Sequence, residues 1–398
     1  MKQIYPNSIT GEGAIQGGSV LDHKFGSSDP FTLGVEEEYM LLDGETFDLV
    51  QHIDTVLRAI TGHELEPRIN AELMQSVLEI ATPVCRNAGD VQRELLKLRG
   101  YVTGIARQTN LRVGSAGTHP FSLFERQRIT ARDRYRNLVD QLQYIARREL
   151  IFGMHVHVAV DDPEKAIQVV NGLLPQLGPL LALSASSPFW RGEPTGLASS
   201  RQMVFAAFPR SGPPPRFRDY ADYAEVVGQL ERTGCIADYT HIWWDIRLHP
   251  RLGTIEIRIC DAVTRVEDAV ALAAYCQALV KLLSEQHDRG EEIPSFHRIL
   301  TTENKWLAAR YGLEAPVMDL ATGARNRIPV AQLIRRTLKE IEPHARELGS
   351  ERELEGIGEI LGRGNGADGQ LRVFNANRDI VEVVEEIAKA TEAVPAPA

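Results

Sequence analysis

Four short stretches place carboxylate, imidazole and guanidinium side chains at spacings that suit chemistry. Glu36 and Glu38 lie two residues apart in Phe31 to Asp43, a run of strand formers bounded by Asp29-Pro30 and Asp43-Gly44, so both point to one face with Gly34 and Met40. Glu37 points the other way, among Val35, Tyr39 and Leu41. Carboxylates on an apolar strand are costly to bury unless a cation or hydrogen-bond donors offset the desolvation, whereas a solvated edge strand would carry them without function. His155 and His157 share one face of Phe152 to Val160, opposite Met154, Val156 and Val158, which suits a metal or phosphate contact and equally a satisfied core pair. Glu256 and Arg258 alternate with Ile255, Ile257 and Ile259, as a ligand site or a structural ion pair would. Glu72 and Glu79 bracket Leu73 to Leu78; in one extended strand their odd separation puts them on opposite faces, so both reach one site only if the chain bends, and two surface glutamates are the alternative.

Repetition carries more weight than any one pair. A sheet face lined by Glu36, Glu38, His155, Glu256 and Arg258 is an expensive surface without divalent ions and an anionic substrate. Oxygen ligands with few histidines and no cysteine suit Mg²⁺, with Mn²⁺ as the alternative, rather than zinc. Mg²⁺ held this way completes its shell with water and nucleotide phosphates, and nearby arginines neutralise a transferring phosphoryl group. No GxxxxGK[ST] loop occurs, so a nucleotide would bind on a sheet face.

The elements that must position these residues follow from periodicity. Gly89 to Gln108 and Arg132 to Leu150 read as amphipathic helices, and Leu111 to Ser115 as a strand feeding the loop Gly117-Thr118-His119-Pro120, where His119 is a further candidate or simply part of a turn. Ala166 to Ser184 is helical in pattern, kinked or divided by Pro175 and Pro179. Ser186 to Arg218 is long, irregular and proline-rich, the kind of segment that covers a site. Trp243 to Asp261 holds two strand-like runs around His249 to Gly253, with Tyr239, Trp243 and Trp244 available for core packing or an apolar ligand. After Val266 the pattern is helical, with breaks at Gly312 to Pro316 and Gly362 to Gly369. Hairpin turns without a regular strand–helix–strand rhythm point to an α+β fold around a largely antiparallel sheet. The expected organisation is a flexible segment over 1–29, a single catalytic domain over 30–388 with a helical C-terminal part, and a disordered tail over 389–398.

Composition narrows the class. The 398 residues are 43% apolar and 25% charged, and 54 acidic against 44 basic side chains leave a net charge of −10, which argues against a nucleic-acid partner. No window has the ~18 consecutive apolar residues of a membrane span, and the start lacks a signal peptide, so a cytoplasmic protein is expected. Cys85, Cys235, Cys260 and Cys276 are irregularly spaced and read as reduced, mostly buried thiols.

Taken in order, Phe31 to Glu38 (FTLGVEEE), Glu72 to Cys85 (ELMQSVLEIATPVC), Gly117 to Phe121, Gly153 to Val158 (GMHVHV), Ala185 to Pro209 with ASSR at Ala198 to Arg201, Trp244 to Arg247, and GTIEIRICD at Gly253 to Asp261 resemble the YbdK-type carboxylate–amine ligases, or glutamate–cysteine ligase type 2. The likeness runs from about residue 30 to 385. It implies a glutamine-synthetase-like fold, a curved, largely antiparallel sheet flanked by helices. It implies ATP-dependent amide formation, in which a carboxylate such as the γ-carboxyl of glutamate is phosphorylated and an amine such as cysteine displaces phosphate. By the same resemblance Glu36, Glu38, Glu72, Glu79, His155 and Glu256 hold the divalent ions, Arg258 meets the phosphates with Glu256 and His157 beside it, and Arg201 and Arg247 contact substrate carboxylate or phosphoryl groups. A homodimer is implied too. A guanidino- or amine-phosphotransferase on a similar sheet, and a catalytically silent nucleotide or amino-acid sensor, remain the alternatives.

Overall fold

A computed structural model describes residues 21–393, with 295, 321, 324 and 325 excepted. Its centre is a seven-stranded sheet: β1 (Leu33–Asp43), β2 (Ile69–Ala71), β3 (Val77–Ala81), β4 (Leu111–Gly114), β5 (Met154–Ala159), β6 (Ile246–His249) and β7 (Thr254–Ile257). The order is β6-β7-β5-β1-β3-β2, with β4 pairing the far half of β1, and every pairing is antiparallel. The α+β expectation therefore holds, and β1, far from being a solvated edge, is the central strand.

The two faces of β1 differ as its alternation requires. Val35, Tyr39 and Leu41 enter the main core beneath helices α1 (Ala88–Gln108) and α6 (Val266–Asp288), which contribute Leu95, Leu98, Val102, Ala273 and Ala274. Glu37 also points into this layer, where Arg99 of α1 pairs with both carboxylate oxygens, Tyr39 donates to one of them, and Arg99 donates onward to the Thr264 carbonyl at 2.8 Å. Burial of Glu37 and Arg99 is thus tolerable because each is paired and hydrogen-bonded.

Several elements differ from their sequence patterns for local reasons. The expected helix over 132–150 is broken: α2 (Asp133–Leu142) ends at Gln143, which takes φ 53°, and one further turn covers Tyr144–Arg147. Pro175 divides the next apolar helix into α3 (Pro163–Leu173), a 3₁₀ turn and α4 (Leu177–Ser184), while Pro179 is accommodated near the start of α4, where amide donors lack intrahelical partners. Among the described residues Pro163–Ser184 is the helical stretch apolar enough to cross a membrane, and 78% of its apolar window is buried inside the fold. The segment 186–218 contains a short helix, α5 (Ser200–Phe205). The helical C-terminal part is interrupted by a ribbon of Pro316–Met318 against Arg327–Pro329, which short strands without alternation did not announce.

Both expected flexible ends need correction where they are described. Phe25 is buried, Lys24 N–H donates to the Pro250 carbonyl at 2.9 Å, and Gly26 N–H to the Val160 carbonyl at 3.1 Å, so residues 24–26 dock on the β5–β7 side. The approach is close: a Cβ on Gly253, whose φ is +69°, would lie 2.3 Å from the Lys24 carbonyl oxygen. At the other end α7 (Ile380–Glu392) continues past 389, and buried Glu392 receives Arg112 at 2.8 Å and Arg107 at 2.9 Å. Residues 1–20 and 394–398 of the two expected segments lie outside the described residues. Cys85, Cys260 and Cys276 are buried, Cys235 is exposed, and all four are free thiols.

Candidate active site

Antiparallel register assembles the site from separate strands. Directly opposite residues share a face, so the pairs Arg247 with Glu256, Glu256 with His157, His155 with Glu36, and Glu38 with Glu79 bring their side chains to one side of the sheet. The β2–β3 hairpin answers the parity problem at Glu72. Asn70 pairs with Glu79, and Glu72, two residues beyond Asn70 on the opposite arm, falls on Glu79's face because the chain has reversed.

These residues line a cavity of about 300 Å³. It contains all ten residues to which the resemblance gives a role: Glu36, Glu38, Glu72, Glu79, His155, His157, Arg201, Arg247, Glu256 and Arg258. His119 is elsewhere; its Nε2 bonds the Phe47 carbonyl at 2.9 Å, its Nδ1 accepts from the amides of Phe121 and Ser122, and burial pushes its pKa down to about 4. It therefore holds a turn. Trp243 lines the cavity, whereas Trp244 packs against Phe217 with centroids 5.6 Å apart.

One end of the cavity is tightly paired. Glu256 is buried and receives Arg247 Nε at 2.9 Å and Nη2 at 2.6 Å on one oxygen and Arg258 Nη1 on the other. Burial opposes its charge, but Arg247 and Arg258 hold it well below the usual carboxylate range. Arg247 also donates from Nη1 to the Thr240 and Ile242 carbonyls, at 2.9 and 2.8 Å, so its guanidinium serves chiefly to orient Glu256. Glu36 lies between the two histidines, 3.0 Å from His155 Nδ1 and 3.4 Å from His157 Nε2. Burial again opposes ionisation, and the charge of His157 with the bond from His155 keeps Glu36 well below its ordinary value.

Ligand atoms of Glu36, His157 and Glu256 all lie within 4.8 Å of one another, a spacing that suits one cation. The imidazole is prepared for it. His157 Nδ1 is 3.0 Å from Thr254 Oγ1, and Nε2, buried and without hydrogen-bond alignment to Glu36, has no partner. The resemblance implied His155 among the ion-holding residues and His157 with the nucleotide; the geometry groups His157 with Glu36 and Glu256 and sets His155 beside them, bonded to Glu36. The two carboxylates suit Mg²⁺, and the imidazole beside them suits Mn²⁺ at least as well.

The other end is a cluster of like charge. Glu38 accepts from the Gly153 amide at 2.5 Å, and burial together with the charge of Glu72 pushes its pKa up to about 7. Burial raises Glu72, and burial with Glu72's charge raises Glu79 strongly. Arg201 approaches from α5. It is buried, bonds weakly to the Ile259 and Arg258 carbonyls, and lies 3.7 Å from Asp261, which is itself fixed by the Ser186 amide and the Ser187 and Ser199 hydroxyls at 2.7–3.0 Å. Two glycines make room: a Cβ on Gly153 would sit 2.5 Å from Arg201 Nη2, and one on Gly117 would sit 2.6 Å from Asp261 Cγ. The buried Nε atoms of Arg201 and Arg258, like Nε2 of His157, lack partners.

Sequence reasoning missed Arg134, Glu149, His249 and the apolar lining Leu138, Ile151, Phe205 and Phe208. Arg134 and Glu149 sat inside what read as one charged helix, where periodicity gives no sign of which charges face a cavity. The break at Gln143 is what frees Glu149 and Ile151 to reach it.

The sequence matches glutamate-cysteine ligase family 2 (GCS2) over residues 32–389. It is 42% identical over 371 residues to a Rubrobacter xylanophilus protein provisionally named glutamate–cysteine ligase 2-1, covering 93% of this chain and 97% of that one. A Sorangium cellulosum protein, provisionally named glutamate–cysteine ligase 2, is 42% identical over 358 residues, 90% of this chain and 95% of its own. In fold the chain is similar to the glutamate–cysteine ligase of Francisella tularensis, solved in complex with AMP, with a TM-score of 0.65 over 92% of this chain and 90% of that chain at 12% identity.

Proposed function

Since the chain belongs to glutamate-cysteine ligase family 2 and is a carbon–nitrogen ligase, we propose that it activates a carboxylate, taken here as the γ-carboxyl of glutamate, with ATP and transfers the acyl group to an amine. The observation that supports this most is the pairing of opposites in one cavity: a carboxylate–imidazole triad of Glu36, His157 and Glu256 beside two arginines, buried Arg201 and part-buried Arg258, whose buried Nε atoms have no partner. Buried polar atoms without partners are uncommon in folded proteins, and those that line a cavity call for a water, ion or ligand to complete them.

In the first step a carboxylate oxygen attacks the γ-phosphorus, the bond to the β–γ bridging oxygen breaks and ADP leaves. In the second the neutral amine nitrogen attacks the acyl carbon, the carbon–oxygen bond to phosphate breaks, and the proton lost by nitrogen leaves on the departing phosphate. Two anions must first be brought together, so charge neutralisation and positioning carry most of the acceleration. Glu36, His157 and Glu256 would hold Mg²⁺, with Glu38, Glu72 and Glu79 available to a further ion. When bound, the metal ions screen phosphoryl oxygens from the attacking carboxylate. Arg258 faces the phosphoryl group, Arg201 the substrate carboxylate, and Arg247 keeps Glu256 ionised and oriented. Phe205 and Phe208, from the covering segment 186–218, limit access of water to the activated acyl group. Residues 30–388 act as one catalytic unit, in a dimer whose sedimentation would correspond to twice the 44.3 kDa chain.

The test is release of ADP and phosphate from Mg²⁺-ATP with glutamate and a panel of other carboxylates and amines, each mixture checked by mass for an amide. Amide formed one-for-one with ADP and phosphate is expected. ADP with a phosphorylated amine and no free phosphate would overturn the reading in favour of a phosphotransferase.

A further inference from the structure

One wall of the cavity is apolar, and beyond keeping water from the acyl group it has no part in the chemistry above. Ile151, Phe205 and Phe208 are three of the four buried members of a small hydrophobic cluster that stands apart from the two larger cores, and Trp243 packs on its edge. Its rings form a continuous surface. Phe205 and Phe208 stack at 5.5 Å and 27°, and Phe208 meets Trp243 edge-on at 5.4 Å and 84°. All four side chains line the cavity, and the part of them that Leu142, Ile145 and Trp190 leave uncovered faces it. The wall begins beside the reacting groups, because the Arg201 guanidinium lies 5.8 Å from the Phe205 ring.

A carboxylate stands at the same end. Glu149, two residues before Ile151, lines the cavity half-buried; its carboxyl group has no hydrogen bond or ion pair among the described residues, and burial beside the charges of Glu38 and Glu72 pushes its pKa well up, so a cation there would restore its charge. An apolar surface next to an unpaired carboxylate fits a molecule with an ammonium head and an apolar body. A thiol sits comfortably against aromatic rings but is too small to cover a wall four side chains wide, and adenine would cover it yet bring no positive charge to Glu149 and the neighbouring Glu38 and Glu72.

Resting on the ligase reading, we propose that the acyl acceptor is a primary amine or amino acid with a bulky branched or aromatic side group, seated on Ile151, Phe205, Phe208 and Trp243 with its ammonium toward Glu149, and that cysteine is a poor substitute. An apolar pocket discriminates about 10–200-fold for each methylene it does or does not bury, so leucine or phenylalanine should exceed cysteine by at least about tenfold in kcat/KM.

Amide formation is measured by mass with cysteine, alanine, leucine and phenylalanine as acceptors. The wild-type protein should prefer leucine or phenylalanine, and Phe208→Ala should shrink that preference over cysteine by about tenfold, with the loss in the KM for the amine rather than that for ATP. Phe208→Leu, which keeps an apolar side chain, should restore most of the preference and guards against a folding defect. Glu149→Gln should raise the KM for every amine. Three results overturn the proposal: amide formed best with cysteine, an equal loss for all acceptors in Phe208→Ala, or a rise confined to the KM for ATP, which would make the wall a base pocket. The first of these leaves the ligase reading standing; absence of amide with every acceptor removes both.

Discussion

Glu256 is the residue on which most of the site's charges converge, since it accepts from Arg247 and Arg258 and lies within ligand distance of Glu36 and His157. Replacing it by Gln keeps the shape and removes the charge, so two guanidinium groups face a neutral amide. A fall in kcat of roughly 10²–10³ is expected, the size seen when one preorganised electrostatic partner is removed. Steady-state ADP release measures it; a change below tenfold would show that Glu256 is only structural. The acids at the opposite end make a pH prediction. Glu38 titrates at about 7 in the folded chain against 4.5 as a free side chain, so its stability contribution is fully present below about 4.5 and is lost as the pH rises through about 7. Raised Glu72, Glu79 and His157 act in the same sense. His119, His155 and His249, each held down to about 4, act oppositely, but only at pH below their ordinary 6.5. Between pH 6.5 and 8 the urea midpoint of cation-free protein should therefore fall, and Mg²⁺ should abolish the fall. A midpoint that is flat without cation would contradict this account.

At the scale of elements, the start of β5 and helix α5 depend on one missing side chain. Gly153 donates its amide to Glu38 and leaves space for Arg201 Nη2, which a Cβ would approach to 2.5 Å. Arg201 is buried, so it cannot swing into solvent without losing its bonds to the Arg258 and Ile259 carbonyls. Gly153→Ala should therefore lower kcat at least tenfold, because misplacing a charged group by about 1 Å is enough to cost roughly 10²-fold. Far-ultraviolet circular dichroism should stay unchanged, since the alanine adds no strain to an extended strand. A variant with wild-type kcat would show that Arg201 relaxes harmlessly.

For the whole molecule the two faces of β1 separate stability from chemistry. Glu37 and Arg99 lock the sheet to α1 and, through the Thr264 and Val263 carbonyls, to the chain entering α6, on the side away from the cavity. Arg99→Met strands a buried carboxylate and should destabilise the fold by about 3–5 kcal/mol, the usual effect of breaking one half of a buried pair. Denaturant unfolding gives the number. The folded fraction should keep the KM for ATP, because Glu37 and Arg99 do not reach the cavity; a changed KM would mean that the two layers are coupled.

The sequence by itself determined the strands that carry chemistry. Alternation at Glu36 and Glu38, at His155 and His157, and at Glu256 and Arg258 fixed which side chains share a face, because a strand's period of two leaves no other choice once one face is apolar. It also marked the segment 186–218 as one that reaches the site. The tertiary structure alone decided the rest. Register made His157 rather than His155 the third member of the triad, and the β2–β3 reversal brought Glu72 to Glu79, since pairing between strands distant in sequence leaves no local trace. The left-handed residue at Gln143 delivered Glu149 and Ile151 to the cavity, where helical periodicity predicted an unbroken helix. Which charges end up buried, and against what, is a property of the packed whole rather than of any window along the chain.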